Sequence, residues 1–307
     1  MFLIYKAVPA DPVRMMLQGR EQEMKPAAFA ELERITRLEL GLDKPLYVQY
    51  LRWMGNILTG NFGRSAVSRR PVLEVIKAPM RNTLLLNAIE LPIVFAIVIP
   101  LGITTAVKKG SVYDNSIQVV TVLGYSLPTF IFCLAFIYIF ASTLGWLPVS
   151  GAVTPGLELS ATNWEMFLDR AKHMILPISV MVFTSLASLT RYIRATMIDA
   201  LRMDYIRTAR AKGLTEKVVI YSHAFRNSMI PFVTALISWF IGLFSGSMMV
   251  ETVFGWHGMG KLFFDSIMAL DFSVALTLGM FYVLLGLVGN LVVDITYTLV
   301  DPRVRLA

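Results

Sequence analysis

Five long stretches of this 307-residue chain contain no Asp, Glu, Lys or Arg: Leu91 to Val107, Asn115 to Leu144, Met174 to Thr190, Met229 to Val250 and Phe272 to Val293. A helix needs roughly 20 apolar residues to cross about 30 Å of hydrocarbon, so each window is a candidate membrane span. The first window extends back toward Asn82, which places Glu90 inside that span or close to its end. The composition agrees: 56% of residues are hydrophobic and 16% charged, and the mean hydropathy is +0.63. The expected fold class is an all-α integral membrane protein.

The rest of the chain divides around those spans. Residues 1–9 are apolar but carry Lys6 and are too short to cross, so they form either a surface stub or the end of a helix. They lack the apolar core and small-residue cleavage site of a signal peptide. Residues 10–81 read as an extracytoplasmic segment. Within it, Pro26 to Leu40 suits an exposed helix ending at Gly41. Tyr47 to Leu58 puts Tyr50, Leu51, Met54 and Leu58 on one stripe fit for a membrane surface. Residues 82–300 form the transmembrane domain, with a long loop at 191–230, and 301–307 form a tail.

Charge sets the orientation. The loop from Arg191 to Arg226 holds eight Lys and Arg against three Asp and Glu, Lys108 and Lys109 follow the first span, and Arg303 and Arg305 lie in the tail. Short basic loops stay in the cytoplasm, so these segments and the carboxy terminus are expected there. The net charge of +7 then reports topology. No aromatic-interleaved basic patch or zinc spacing points to nucleic acid. Cys133 is the single cysteine and falls inside a span, which leaves it an inert buried thiol. His173, His223 and His257 lie in or beside loops, far apart and without metal-site spacing, so neither a metal nor a cofactor is expected.

Within the basic loop, Asp204 to Gly213 reads as a short helix with both ends marked. Asp204 is a suitable N-cap, Arg210 and Lys212 suit the negative end of the dipole, and Gly213 supplies a left-handed stop. Tyr205, Ala209 and Lys212 share one face, and Thr208, Ala209 and Ala211 are small enough for a docking surface to approach the backbone. A second, rougher helix from Glu216 to Asn227 returns the chain to the membrane near Pro231. By spacing alone, such a loop is more often only an orientation signal than a docking site.

The sequence Arg207-Thr208-Ala209-Arg210-Ala211-Lys212-Gly213 resembles the cytoplasmic signature of the permease subunits of binding-protein-dependent ABC importers, in the form found in their peptide branch. Leu40-Gly-Leu-Asp-Lys-Pro45 with Gln49-Tyr50, Gly60-Asn-Phe-Gly63, Gly246-Ser-Met-Met-Val-Glu-Thr-Val-Phe254, Gly258-Met-Gly260 and Asp301-Pro302 resemble the first permease of dipeptide, oligopeptide and nickel importers. The resemblance covers nearly the whole chain and implies a type I importer transmembrane domain, with five full spans plus a partial or missing first helix. It implies a multi-pass protein of the cytoplasmic membrane, paired as a heterodimer with a paralogous permease. Two ATPase subunits would dock inside, and an extracytoplasmic solute-binding protein would deliver cargo outside. The chain itself has no Gly-x-x-x-x-Gly-Lys-[Ser/Thr] loop, so it is not expected to hydrolyse ATP.

The implied docking residues are Asp204, Tyr205, Arg207, Thr208, Ala209, Arg210, Ala211, Lys212 and Gly213, acting as a rigid coupling helix. In the path, Glu90 is an ionisable group in a span, which is either functional or reaching the interface. Asn87, Ser126, Thr129 and Asn290 are polar groups in spans that either line the path or join helix to helix. Pro92, Pro128, Pro177 and Gly242 are kink or packing positions, and Trp239, Phe240 and Phe244 read as packing aromatics. The cargo implied is a di- or oligopeptide, with nickel or another small solute as the alternative. A secondary transporter is the rival class, and it would call for intramembrane charges and repeat symmetry, whereas few spans here hold a charge and no segment has a second copy.

Overall fold

The computed structural model describes residues 2–3, 11, 13–14, 17, 21–22, 24–39, 41–229, 239–240 and 242–300. Every regular element among them is helical. Two amphipathic helices come first, α1 (Pro26–Glu39) and α2 (Leu46–Leu58), separated by a turn at Gly41. No residue of α2 is buried, and Tyr47, Leu51 and Leu58 are exposed, which fits a helix lying along a surface.

α3 (Val72–Val107) and α6 (Asn163–Leu201) form the frame. Both run well beyond the charge-free windows that reveal them. The extra turns of α3 carry the exposed Glu74, Lys77 and Arg81, so the window measures hydrocarbon thickness while the helix continues past it. α6 starts at a capping box in which Glu165 donates its backbone N–H to the Thr162 hydroxyl and its carboxylate accepts from the Thr162 backbone.

The window from Asn115 to Leu144 corrects the expectation of one simple span. It splits into α4 (Val112–Ser126) and α5 (Thr129–Phe136), the latter continuing as a π-helical turn over Ile137–Thr143. The two arms are bent by 104°. Leu127 sits at φ −88°, ψ 138° because the ring of Pro128 disfavours the helical region for the residue before it. The remaining elements are α7 (Asp204–Ala211), α8 (216–228, helical at both ends and π-wound over Val219–Phe225), α9 (Met248–Val253), α10 (Met259–Met268) and α11 (Phe272–Val300). α3, α6 and the 25 residues Phe272–Thr296 of α11 are each long and apolar enough to cross a membrane, and the bent pair makes a fourth candidate. Residues 230–238, Pro231 among them, and 241 of the window from Met229 to Val250, most of the amino-terminal stub and the tail at 301–307 lie outside the described residues.

α3 and α6 lie side by side and run in the same direction, as three cross-contacts in register show. Near their amino-terminal ends Arg170 donates to the Asn82 side chain at 2.7 Å, at the middle Ser185 donates to Glu90 at 2.8 Å, and near their carboxyl ends Gly102 meets Ile193. Leu86, Val94, Val98, Met174, Val182 and Ile193 fill the seam. The first end is closed by Trp256, fully buried, whose indole donates to the Asn82 carbonyl, and by the Asn82 amide, which donates to the carbonyl of His257. The other end is tied to α4 by Arg194, which grips Asp114 with two 2.7 Å hydrogen bonds while Gly110 N–H donates to the same carboxylate. His173, expected in or beside a loop, is buried inside α6 with its ring nitrogen against the Asp169 carbonyl, because the helix starts earlier than its apolar window.

α6 comes close against α3 at Gly102, where a Cβ would stand 2.5 Å from Cγ2 of Ile193. Ile193 is branched next to its backbone and cannot swing aside. Gly102→Ala is therefore expected to destabilise the protein by about 1–3 kcal/mol through overpacking. Gly55→Ala in α2, where a Cβ meets nothing within 4 Å, should be neutral or stabilising by up to about 1 kcal/mol. Thermal melts of the two variants in one detergent check the contrast.

Candidate coupling helix and translocation cavity

α7 begins one residue earlier than a cap at Asp204 would require. Met203, at φ −70° and ψ 151°, is the N-cap and offers no side-chain acceptor, while Asp204 is the first helical residue and reaches Arg207 at 3.3 Å from full exposure. The carboxyl end follows the expected chemistry. Gly213 stands at φ +75°, its N–H donates to the Arg210 carbonyl, and the Leu214 N–H returns to Ala209. A Cβ on Gly213 would meet open space, so the turn and not a close neighbour requires glycine there.

The direction of the helix corrects one expectation. Ala209, expected to meet a docking partner, is 4% exposed and lies under the helix beside Ile206, which is fully buried. The two are three residues apart and so share a face. They pack into the same core as Met197 and Ala200 of α6 and Val219 and Ala224 of α8. Asp204, Tyr205, Arg207, Thr208, Arg210, Ala211, Lys212 and Gly213 are exposed. Thus the small side chain of Ala209 seats α7 on its own bundle, and the outward face is long-chained and cationic.

Two further links hold the seat. Arg210 grips Glu216 across the Gly213 turn through hydrogen bonds of 2.8 and 3.2 Å, and the buried Ser228 hydroxyl of α8 contacts Met197 Sδ of α6 at 3.1 Å. The Arg210 hydrogen bond holds the Glu216 carboxyl below its usual range. A lowered carboxyl favours the linked form above the ordinary glutamate range, and that preference disappears as acid protonates it. At neutral pH the link is intact, worth little in energy because it is exposed, but it fixes the direction of the turn.

About halfway along the frame lies a cavity of about 480 Å³, within the range of small-molecule sites. Asn87, Glu90 and Leu91 of α3, Met181, Thr184 and Ser185 of α6, and Trp239, Gly242, Leu243, Gly246 and Ser247 line it. Asn87 and Glu90 are three residues apart and point to the same side of α3. Asn87 donates to the Leu243 carbonyl at 2.6 Å, and Glu90, 7% exposed, accepts from Ser185. Trp239 tilts against Phe95 with ring centroids 5.9 Å apart.

Of the five polar residues singled out from the sequence, the structure gathers Asn87 and Glu90 here. Ser126 is exposed beside the bend, Thr129 follows Pro128 on the other side of it, and Asn290 is exposed on α11. None of these three lines the cavity. Nothing in the sequence pointed to Ser185, Ser247 or the cavity-lining place of Trp239, all of which sit in apolar windows where only the packing of the helices sets them apart. It also passed over Glu251. That side chain is 1% exposed, accepts from the Thr83 hydroxyl at 2.7 Å and from the Lys261 N–H at 2.8 Å, and lies against Gly246, Gly258 and Gly260. The motif Gly246-Ser-Met-Met-Val-Glu251 and the following Gly258-Met-Gly260 were its visible signal.

Long apolar helices around a cavity that holds the buried polar Asn87 and Glu90, with a cationic helix presented at one end, define a membrane transport scaffold. Residues 98–306 match the family described as the binding-protein-dependent transport system inner membrane component, and residues 1–87 match the N-terminal part of such membrane components. The chain belongs to this family, the permeases of ABC importers. It is 40% identical to the oligopeptide transport system permease protein AppB of Bacillus subtilis, over 99% of this chain and 92% of that one. It is 36% identical to the di/tripeptide transport system permease protein DppB of Pseudomonas aeruginosa, with the same coverage. Among solved structures, an inward-facing MetNI methionine ABC transporter shares the fold at a TM-score of 0.52 and 15% identity, covering 72% of this chain and 96% of that one. The transmembrane part therefore has the type I importer fold.

Proposed function

We propose that this chain is a translocation-path subunit of an ATP-driven importer that carries peptides across the cytoplasmic membrane. The observation that carries the reading is the alignment of 99% of the chain with relatives named as oligopeptide and di/tripeptide permeases. On this reading the chain pairs with a paralogous permease and crosses the membrane in five full spans, its tail in the cytoplasm. An extracytoplasmic binding protein delivers cargo, and two ATPase subunits supply the work. The cavity at Asn87 and Glu90 forms part of the path.

α7 is the coupling element. Its exposed Tyr205, Arg207, Arg210 and Lys212 meet an ATPase, with charge complementarity fixing register more than affinity. Its buried Ile206 and Ala209 pass the displacement to the end of α6 and to α8, so that closure of the ATPases reorients the frame around the cavity. The test is uptake of labelled trialanine by proteoliposomes that hold the complete assembly. Accumulation that needs both ATP and the binding protein supports the reading. Accumulation independent of ATP contradicts it and favours a secondary transporter.

A further inference from the structure

We propose that Glu90 is the site in the path that receives the protonated amino terminus of the cargo, which makes it a specificity-determining residue of the permease. The proposal rests on the peptide-importer reading above and names the chemistry by which the cavity would hold that cargo.

Among the described residues of the cavity wall, Glu90 is the only charged side chain, and none is Lys or Arg. It is 7% exposed. Among the described residues, the Ser185 hydroxyl is the one side chain that donates to it, through Oε1 at 2.8 Å. A buried carboxylate with a single neutral donor is poorly compensated, because one hydroxyl does not replace its hydration. A cationic ligand entering the cavity supplies what is lacking, in surroundings where charge–charge attraction is stronger than in water.

The donor set selects the kind of cation. Glu90, Ser185, Thr184, Ser247 and the indole-bearing Trp239 all line the same space. An ammonium offers three N–H donors and is attracted to an indole face. A divalent cation instead takes several oxygen or imidazole ligands at short range, and no group of three His, Cys, Asp or Glu stands together among the described residues. A wall with one anion and no cation also repels a free carboxylate. A zwitterionic peptide would therefore present its amino end to Glu90 and keep its carboxyl end away. Near mid-frame, Glu90 is about 12 Å from Asn82 on one side and about 18 Å from Gly102 on the other, at 1.5 Å per residue. A ligand held there would be remote from both closed ends.

The test uses proteoliposomes holding the complete assembly, with capture of each peptide by the binding protein measured separately. Glu90→Gln keeps the shape and an acceptor for Ser185 but removes the charge. It is expected to lower trialanine uptake about tenfold, the loss of one charge-assisted hydrogen bond. Glu90→Asp, which keeps the charge, should recover part of that loss, and N-acetyl-trialanine should discriminate against Glu90→Gln less than trialanine does. Wild-type trialanine uptake in Glu90→Gln overturns the proposal, as does a loss that Glu90→Asp fails to relieve. If the wild-type assembly imports no peptide at all, the peptide reading itself fails, a result distinct from either of those.

Discussion

Replacing Ile206 with aspartate is expected to disconnect ATP hydrolysis from uptake while the bundle still inserts in the membrane. Ile206 is fully buried beneath α7, in one core with Met197, Ala200, Val219 and Ala224. A carboxylate there would stand among these apolar side chains, and a charge without a partner in such a place costs several kcal/mol. The helix can relieve that cost only by lifting off its seat. Uptake per ATP hydrolysed should fall by about a hundredfold or more, the equivalent of about 3 kcal/mol. Arg207, exposed and paired with exposed Asp204, provides the contrast: Arg207→Ala should weaken docking modestly, because exposed ion pairs contribute about 0–1 kcal/mol. Parallel measurements of uptake and phosphate release in proteoliposomes check both. Normal coupling in Ile206→Asp would show that α7 does not act through its buried face.

The second large effect is expected at Glu251. This carboxylate joins three parts of the chain: the Thr83 hydroxyl of α3 donates to Oε1, the Lys261 N–H of α10 donates to Oε2, and Thr83 in turn accepts from the Met259 N–H. Gly258 walls the group so closely that a Cβ there would lie 2.4 Å from its carboxyl carbon. Glu251→Ala strands these buried donors and opens a void, a combined loss of about 3–5 kcal/mol. Glu251→Gln keeps one acceptor oxygen but turns an N–H₂ toward a donor, so it should fall in between. Melting curves of the purified permease, with Glu74→Ala as an exposed control, decide the matter. An unchanged melting temperature in Glu251→Ala would mean that the carboxylate does not hold the three segments together.

The parts of this molecule that were legible in the sequence are those governed by hydrocarbon. α3, α6 and α11 were visible because charge is costly in lipid, and the same fact hid their true lengths, since the turns carrying Glu74, Lys77 and Arg81 are helical without being apolar. Leu127-Pro128 announced a break, but the 104° angle depends on how the two arms pack. α7 was legible from Gly213 and the cationic run, whereas its inward face was not, because small Ala209 suits a docking surface and a buried seat equally well. Glu90 stood out as a charge in a span. Its neighbour Ser185 did not, because the two are joined only by the register of α3 against α6. Asp114 and Arg194 were hidden for the same reason: 80 residues separate the two ends of that ion pair.

The central claim is that α7 lies on the inner side of the membrane and bears directly on an ATPase. Cys133 is the single cysteine and is buried, so a cysteine introduced by Lys212→Cys provides a selective handle on the exposed face. In sealed cells it should resist a membrane-impermeant maleimide added outside, and in inverted vesicles a thiol-reactive cross-linker should join it to an ATPase subunit with a yield that changes with nucleotide. Labelling from outside, or a cross-linked product that never contains an ATPase, would contradict the account.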